Sequence, residues 1–209
     1  MTEAVSVSRE EQVRGQILDA AAVCLVEGGF GSGRLMSAIA RQAGMSRPTL
    51  YRYYDGFDAV RDALIQREVS RLVELLLPMV DRMRWTPEWF TEVLTFVVGY
   101  ARRHPLLEAA IRDIPEQVLP LFTTRAQLTV GRAVELLEPV VADRVERGLL
   151  PPLDTRVCLD LLCRIVVSLI IATTEVDLDD EEALASYVRE GVRFAEFLRW
   201  RPAEAPVSM

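Results

Sequence analysis

Apolar residues recur every three or four positions along nearly the whole chain, and no segment alternates apolar and polar residues as a half-buried strand does. The first such stripe runs through Val13, Ile17, Ala20 and Cys24 and ends at the Gly28-Gly29 pair, where a glycine can terminate a helix. The pattern predicts an all-α protein of about nine helices.

Two short helical patterns follow this first stripe, over residues 36–42 and 46–53, and the turn Ala43-Gly44-Met45 joins them. Ser46 can cap the second helix, and Pro48 stands near its start, where a missing N–H costs little. Gly44 permits the positive φ that such a turn requires. The spacing predicts a helix-turn-helix, whose second helix can enter the major groove of DNA.

The rest of the chain continues the helical pattern with proline punctuation. Further helices are predicted from residue 58 with Pro78 as a kink or break, from Thr86, over 106–112, through a proline-interrupted region to 147, over 155–174 capped by Asp154, and from "DLDDEE" to about 200. We therefore expect a helix-turn-helix domain at 1–57, with 1–9 disordered, a larger helical domain at 58–200, and a disordered tail at 201–209.

Positive charge is concentrated in the helix-turn-helix. The chain has net charge −7, and all 24 of its basic residues are arginine. Phe30 to Tyr54 contains Arg34, Arg41, Arg47 and Arg52 but no Asp or Glu. This segregation is typical of a localised anion-binding face, where phosphates would be contacted by guanidinium groups or neutral donors.

The stretch "IARQAGMSRPTLYRYY" resembles the helix-turn-helix of the TetR (tetracycline-repressor-like) family, and the resemblance runs from about residue 13 to residue 64. It implies that Arg47 and Pro48 reach base edges, and that Thr49 and Tyr51 contact phosphates. Leu50 and Ile39 are expected to form the small core between the two helices. An alternative role for Arg47 is a clamp on the DNA backbone. The full predicted DNA-binding set is Arg34, Ser37, Ser46, Arg47, Pro48, Thr49, Tyr51, Arg52 and Tyr53.

Two positions depart from the family pattern. Leu35 stands where the family usually has Thr or Ser, so Ser32 or Gly33 is the alternative cap of the first motif helix. Phe57 stands where the family often has lysine. The phosphate footprint is then expected to be smaller, or to depend more on the arginines of the motif.

The resemblance also implies a homodimer joined through the last two helices, at about 155–174 and 180–200. Independently, the first of these helices is apolar around more than one face, which favours burial on two sides. A monomer with a thick core is the alternative interpretation.

Family members usually bind a small molecule in the larger domain, so an apolar or aromatic effector is expected here. Core packing explains the same residues equally well. The candidate effector-binding residues are Trp89, Phe90, Phe96, Tyr100, Phe122, Arg125 and Cys163, with Met79, Met83 and His104 as further possibilities.

Other functional classes have little support. The single histidine, His104, precedes Pro105, and neither a glycine-rich phosphate loop nor a metal-ligand cluster is evident, so no enzyme activity, cofactor or metal is predicted. Three cysteines without a paired motif indicate buried reduced thiols. The N-terminus lacks a secretory pattern and no apolar run could span a bilayer, which predicts a cytoplasmic protein.

The combined interpretation is a transcriptional regulator that represses by binding a palindromic operator as a dimer and is released by its effector. The alternative is a helical small-molecule-binding or protein-interaction module that has lost DNA binding.

Overall fold

The computed structural model describes residues 2–30, 34–82 and 86–197. Within these ranges the chain forms ten α-helices, one short 3-10 helix and no strand, which confirms the all-α prediction. No helix of the described ranges has the length and hydrophobicity needed to cross a bilayer. The α-helices are α1 (Thr2–Gly28), α2 (Leu35–Gln42), α3 (Arg47–Tyr53), α4 (Phe57–Asp81), α5 (Pro87–Arg102), α6 (Pro105–Asp113), α7 (Pro115–Phe122), α8 (Val130–Glu146), α9 (Thr155–Ile171) and α10 (Glu181–Phe197), with the 3-10 helix at Ala126–Leu128.

Helices α1, α2, α3 and the first turns of α4 share one apolar core. Ile17, Leu25, Ile39, Leu50 and Val60 are fully buried in it. The predicted core positions Ile39 and Leu50 are thus confirmed. Helix α1 begins at Thr2, within the segment expected from the sequence to be disordered, whereas the tail 201–209 lies outside the described residues.

The structure confirms the predicted caps at Ser46 and Asp154, and Thr86, predicted to open a helix, also caps one. Ser46, Thr86 and Asp154 each accept a hydrogen bond from the backbone N–H three residues later, which satisfies a donor that the first turn would leave unpaired. Ser32 and Gly33 lie outside the described residues, and α2 begins after Arg34 without a side-chain cap.

Two glycines occupy backbone conformations that side chains disfavour. Gly44 has φ +65° in the turn between α2 and α3, as predicted. Gly29 has φ +73°, and a Cβ atom there would lie 2.8 Å from the Asp113 carboxylate. Asp113 also accepts a hydrogen bond from the backbone N–H of Phe30 at 3.2 Å, so this turn tethers α1 to the end of α6.

Helix α4 continues through Pro78, so the predicted break at that residue is wrong. Pro78 and Glu74 are exposed, and the carbonyl left without its helical N–H partner lies on the solvent side of the helix, where water can satisfy it. Because α4 is unbroken over Phe57–Asp81, it connects the N-terminal unit directly to the larger domain.

The larger domain is built around α4, with α8 running parallel to it. Arg125, just before α8, lies 3.7 Å from Asp62, Arg132 donates to Ser70 at 3.5 Å, and Arg144 pairs with Asp81. Helix α9 packs on α8 and α5, and α10 packs on α5. Apolar contacts among Val98, Leu178, Leu184 and Val188 fix α10 to α5.

A partly buried ion-pair cluster lies where the two domains meet. Arg67 donates to Asp19 of α1 at 2.7 Å and pairs with Glu68 at 2.8 Å. The Glu68 side chain is only 16% exposed, and it also lies 3.1 Å from Arg71 and 3.6 Å from the His104 imidazole. Burial opposes ionisation, but the contacts with His104, Arg67 and Arg71 outweigh it and hold the pKa of Glu68 at about 2.

This depressed pKa makes stability dependent on pH. The folded state favours the ionised Glu68 carboxylate, which therefore contributes roughly 3 kcal/mol to the free energy of unfolding. This contribution is complete above the pKa that Glu68 has in the unfolded chain, and it is lost as pH falls toward 2. We predict that Glu68→Gln lowers the free energy of unfolding by about 2–3 kcal/mol at pH 7 and by about half as much at pH 3. Urea denaturation of the wild-type protein and the variant at pH 7 and pH 3 measures both changes in the free energy of unfolding.

Glu135→Gln is the matched control, because that carboxylate is exposed and its partner Arg132 lies 3.7 Å away. Its effect should stay below about 0.5 kcal/mol at both pH values. A Glu68→Gln effect that is equal at pH 7 and pH 3 would contradict the account.

Candidate functional site

Helix α3 has one buried and one exposed side. Leu50 is 0% exposed at the centre of the N-terminal core, whereas Arg47, Pro48, Tyr51 and Arg52 are exposed. A seven-residue helix cannot persist alone in water, so the burial of Leu50 both holds α3 in place and orients its other side outward.

Polar contacts from outside the helix also hold α3. Gln16 of α1 donates to the carbonyl of Ala43 in the turn at 2.8 Å, and Arg14 donates to the carbonyl of Tyr53 at 3.1 Å. The Arg14 guanidinium lies 5.3 Å from the ring centroid of Tyr54. Sequence reasoning missed both residues, because these contacts join positions 27 and 39 residues apart and no local motif marks them.

The arginines of the motif form an exposed cationic surface, which we call the α2–α3 face: Arg34, Arg41, Arg47 and Arg52. Within the described residues, none of the four pairs with a carboxylate. Arg47 instead lies 5.9 Å from the ring centroid of Tyr51, a cation–π contact that orders its stem and leaves its donors toward solvent. The face is therefore available to an anion.

Not every predicted DNA-contacting residue is equally accessible. Ser46 Oγ accepts the Thr49 N–H at 3.2 Å and lies 2.8 Å from Thr49 Oγ1, so both hydroxyls take part in the cap. Ser37, Thr49 and Tyr53 are half-buried. Tyr53 packs partly against the N-terminal core, as does Phe57, the residue that replaces the usual lysine.

An apolar cavity of about 350 Å³ lies in the larger domain and is lined by residues of α4, α5, α6, α7, α8 and α9. It reaches the N-terminal core, because Leu25 and Leu64 belong to both. Of the candidate effector-binding residues, Trp89, Phe90, Tyr100, Phe122 and Cys163 line this cavity, and so does His104.

Phe96 and Arg125, two of the candidate effector-binding residues, do not line the cavity. Phe96 lies on another side of α5, in a surface groove against α10 that also contains Met79. Arg125 is half-exposed beside Asp62. Helical rotation explains the first difference, since Val93, Val97 and Tyr100 face the cavity, and α10 covers the side that carries Phe96. Met83 lies outside the described residues.

The three cysteines are free, as predicted, but partly rather than fully buried. Cys158 and Cys163 lie in the cavity wall. Burial raises the pKa of the Cys163 thiol to about 11, so this group is neutral at physiological pH.

Helix α9 presents a second apolar side away from the cavity. Val157, Leu161 and Ile165 follow one another at four-residue intervals on this side, and Leu161 is 59% exposed. Tyr187 and Phe194 of α10 are also exposed, Phe194 at 61%. Leu184 and Val188 of α10 do not belong to this exposed surface, since they are buried against α5. We call the exposed residues of the two helices the α9–α10 face.

Residues 17–64 match the family described as bacterial regulatory proteins, tetR family. The match covers the helix-turn-helix together with the C-terminal part of α1 and the start of α4, so this part of the chain is similar to members of that family.

Other proteins described as transcriptional regulators or repressors are also similar to this chain. An uncharacterised HTH-type transcriptional regulator, found in two strains of Mycobacterium tuberculosis, is 33% identical over 108 residues, which are 52% of this chain and 53% of that protein. The chain therefore matches about half the length of these relatives. The TetR family repressor AlkX from Dietzia sp., implicated in biodegradation of n-alkanes, shares the fold with a TM-score of 0.62 at 22% identity, over 87% of this chain and 95% of AlkX. RolR in complex with resorcinol shares the fold with a TM-score of 0.61 at 14% identity, over 95% of this chain and 98% of RolR.

Proposed function

We propose that this protein is a DNA-binding transcriptional repressor that binds a palindromic operator as a homodimer and is released when a small apolar molecule occupies its cavity. The observation that carries this proposal is the α2–α3 face, where four exposed arginines stand free of carboxylates on and beside a helix-turn-helix. An otherwise acidic protein has little reason to maintain such a surface unless it meets a polyanion.

Helix α3 would enter the major groove with its N-terminal residues at the base edges. Arg47 is exposed and begins the helix, so its guanidinium can make a bidentate contact to guanine. Tyr51 and Arg52 lie one turn farther along and can reach phosphates, which fix position without reading sequence. The cap role of Ser46 supports a mainly structural function for its hydroxyl.

The α9–α10 face would join two subunits. Its exposed apolar side chains lie on two helices that both pack on α5, and pairing this face with its own copy around a two-fold axis would remove them from water. Two recognition helices must lie about 34–36 Å apart to enter successive major grooves, and only a dimer supplies the second helix.

Occupation of the cavity would act on the DNA-binding unit through shared packing. Leu25 and Leu64 contact both the cavity and the core that holds Leu50, so a ligand that moves either residue also shifts α3. Regulation requires only about 1–3 kcal/mol of coupling between the two sites. RolR, which shares the fold, is described in complex with the aromatic diol resorcinol, and this supports a small-molecule ligand in this fold. The implication of AlkX in biodegradation of n-alkanes is compatible with an apolar one.

The alternative, a ligand-binding module without DNA binding, is favoured by two observations. The chain has net charge −7, and Phe57 packs on the core at the position where the family often has lysine. Duplex binding as a function of salt separates the two functions.

We predict that the protein binds DNA duplexes and loses about 10³-fold in affinity between 50 and 200 mM salt, if about six phosphates are contacted.

A second prediction compares the best duplex selected from a random library with unselected DNA. Arg47→Ala should reduce the preference for the selected duplex by about 5-fold to 150-fold, because a base contact is lost. Tyr51→Phe should weaken both duplexes alike. Fluorescence anisotropy measures these affinities for the wild-type protein and both variants.

Arg193→Ala is the control, because it removes the same charge from an exposed arginine that pairs with Glu190 on α10. It should leave both affinities nearly unchanged. Equal losses on both duplexes from Arg47→Ala would remove Arg47 from base reading, and salt-independent binding or none would favour the alternative function.

We also predict that Leu161→Glu converts the dimer to a monomer, because it places two like charges in the centre of an apolar contact. Leu75→Glu is the matched control, since Leu75 is a comparably exposed leucine on α4, outside the α9–α10 face. Sedimentation equilibrium measures the mass. A monomeric wild-type protein at micromolar concentration, or a Leu161→Glu protein that remains dimeric, would contradict the proposed interface.

A further inference from the structure

The cavity is long in comparison with its volume. Its wall on α4 extends from Arg61 to Val80, and at about 1.5 Å per residue this stretch measures about 28 Å. Its wall on α9 extends from Thr155 to Ile170, which corresponds to about 22 Å. A sphere of the same 350 Å³ would be only about 9 Å across. The cavity is therefore elongated along α4, and we call it the channel.

The charged groups of the wall are already paired within the protein. Arg61 lies 2.8 Å from Asp58 and 3.0 Å from Asp62, and Glu68 lies 2.8 Å from Arg67. The buried hydroxyl of Thr129 donates to the carbonyl of Leu121 at 2.7 Å. A charged ligand group inside the channel would lose its hydration without meeting a free counter-charge, which is costly.

We infer that the channel binds a molecule with a long, unbranched aliphatic chain, which lies along α4 and carries no charged group inside the channel. This inference rests on the proposed ligand role of the cavity and narrows the class of effector. A compact aromatic ring would fill only part of the channel and would leave the remaining apolar wall without contacts.

The position of α8 suggests how to shorten the channel. Arg132 donates to Ser70, so the neighbouring Ala133, which lines the channel, lies near the middle of the stretch from Arg61 to Val80. A phenylalanine at Ala133 would obstruct the channel at that level. Ala142 is also a half-buried alanine of α8 but does not line the channel, which makes Ala142→Phe a matched control.

The test is isothermal titration calorimetry with straight-chain primary alcohols of about 5 to about 14 carbons, which are uncharged probes. Affinity should rise about fourfold for each added methylene across this range. An extended chain advances roughly 1.3 Å per carbon, so a 9 Å chamber would be filled at about 7 carbons and a 28 Å channel at about 20. A plateau near 7 carbons in the wild-type protein, or no binding, would overturn the inference.

The variants give a second, independent criterion. In Ala133→Phe the affinity should stop rising with alcohol length at about half the channel length, near 10 carbons. Ala142→Phe should show the same length dependence as the wild-type protein. Circular dichroism melting shows whether each variant is folded. If Ala133→Phe does not fold, the alcohol series on the wild-type protein still tests whether the channel accepts long chains. An unchanged rise in a folded Ala133→Phe would contradict the channel.

Duplex binding is measured in parallel on the same protein, so the two ideas can fail separately. Duplex binding without any alcohol binding would overturn the inference and leave DNA binding intact. Length-dependent alcohol binding without duplex binding would support the inference and contradict the repressor function. Length-dependent alcohol binding that leaves a bound duplex in place would support the inference and contradict only the release step.

Discussion

The burial of Leu50 between α1, α2 and α4 is the contact on which the proposed activity depends. Helix α3 has only seven residues, so its conformation is set by the core beneath it, by the Ser46 cap and by contacts from α1. Because one side of the helix is fixed in the core, the opposite side must face solvent, and Arg47 and Tyr51 are on that side. Because the sequence around α3 contains arginines but no Asp or Glu, this outward surface is positively charged.

The same core also forms part of the cavity wall, and this shared packing connects the two domains. Leu25 and Leu64 belong to both the core and the cavity wall. Two polar contacts reinforce the junction: Arg67 donates to Asp19, and the backbone N–H of Phe30 donates to Asp113. Helix α4 crosses the junction without a break. A ligand that spreads the cavity wall would therefore displace the support of α3, while the buried pairing of Glu68 limits how freely the domains can separate.

Local signals in the sequence predicted most of the helices and the caps at Ser46 and Asp154, because a cap depends on residues only three positions apart. Pro78 was misjudged because its effect depends on which side of α4 faces water. Apolar composition identified Trp89 and Tyr100 as candidates, but Phe96 could not be separated from them without knowing where α10 packs. Arg14 and Gln16 gave no signal, since their partners are distant in sequence.

The outward orientation of α3 is tested most directly by amide hydrogen–deuterium exchange with and without a DNA duplex at low salt. Exchange should slow in peptides that cover residues 46–54 and the start of α2, where the cationic surface would meet the phosphates, and it should stay unchanged in peptides over 115–128. Unaltered exchange at 46–54, with protection confined to the larger domain, would contradict the account.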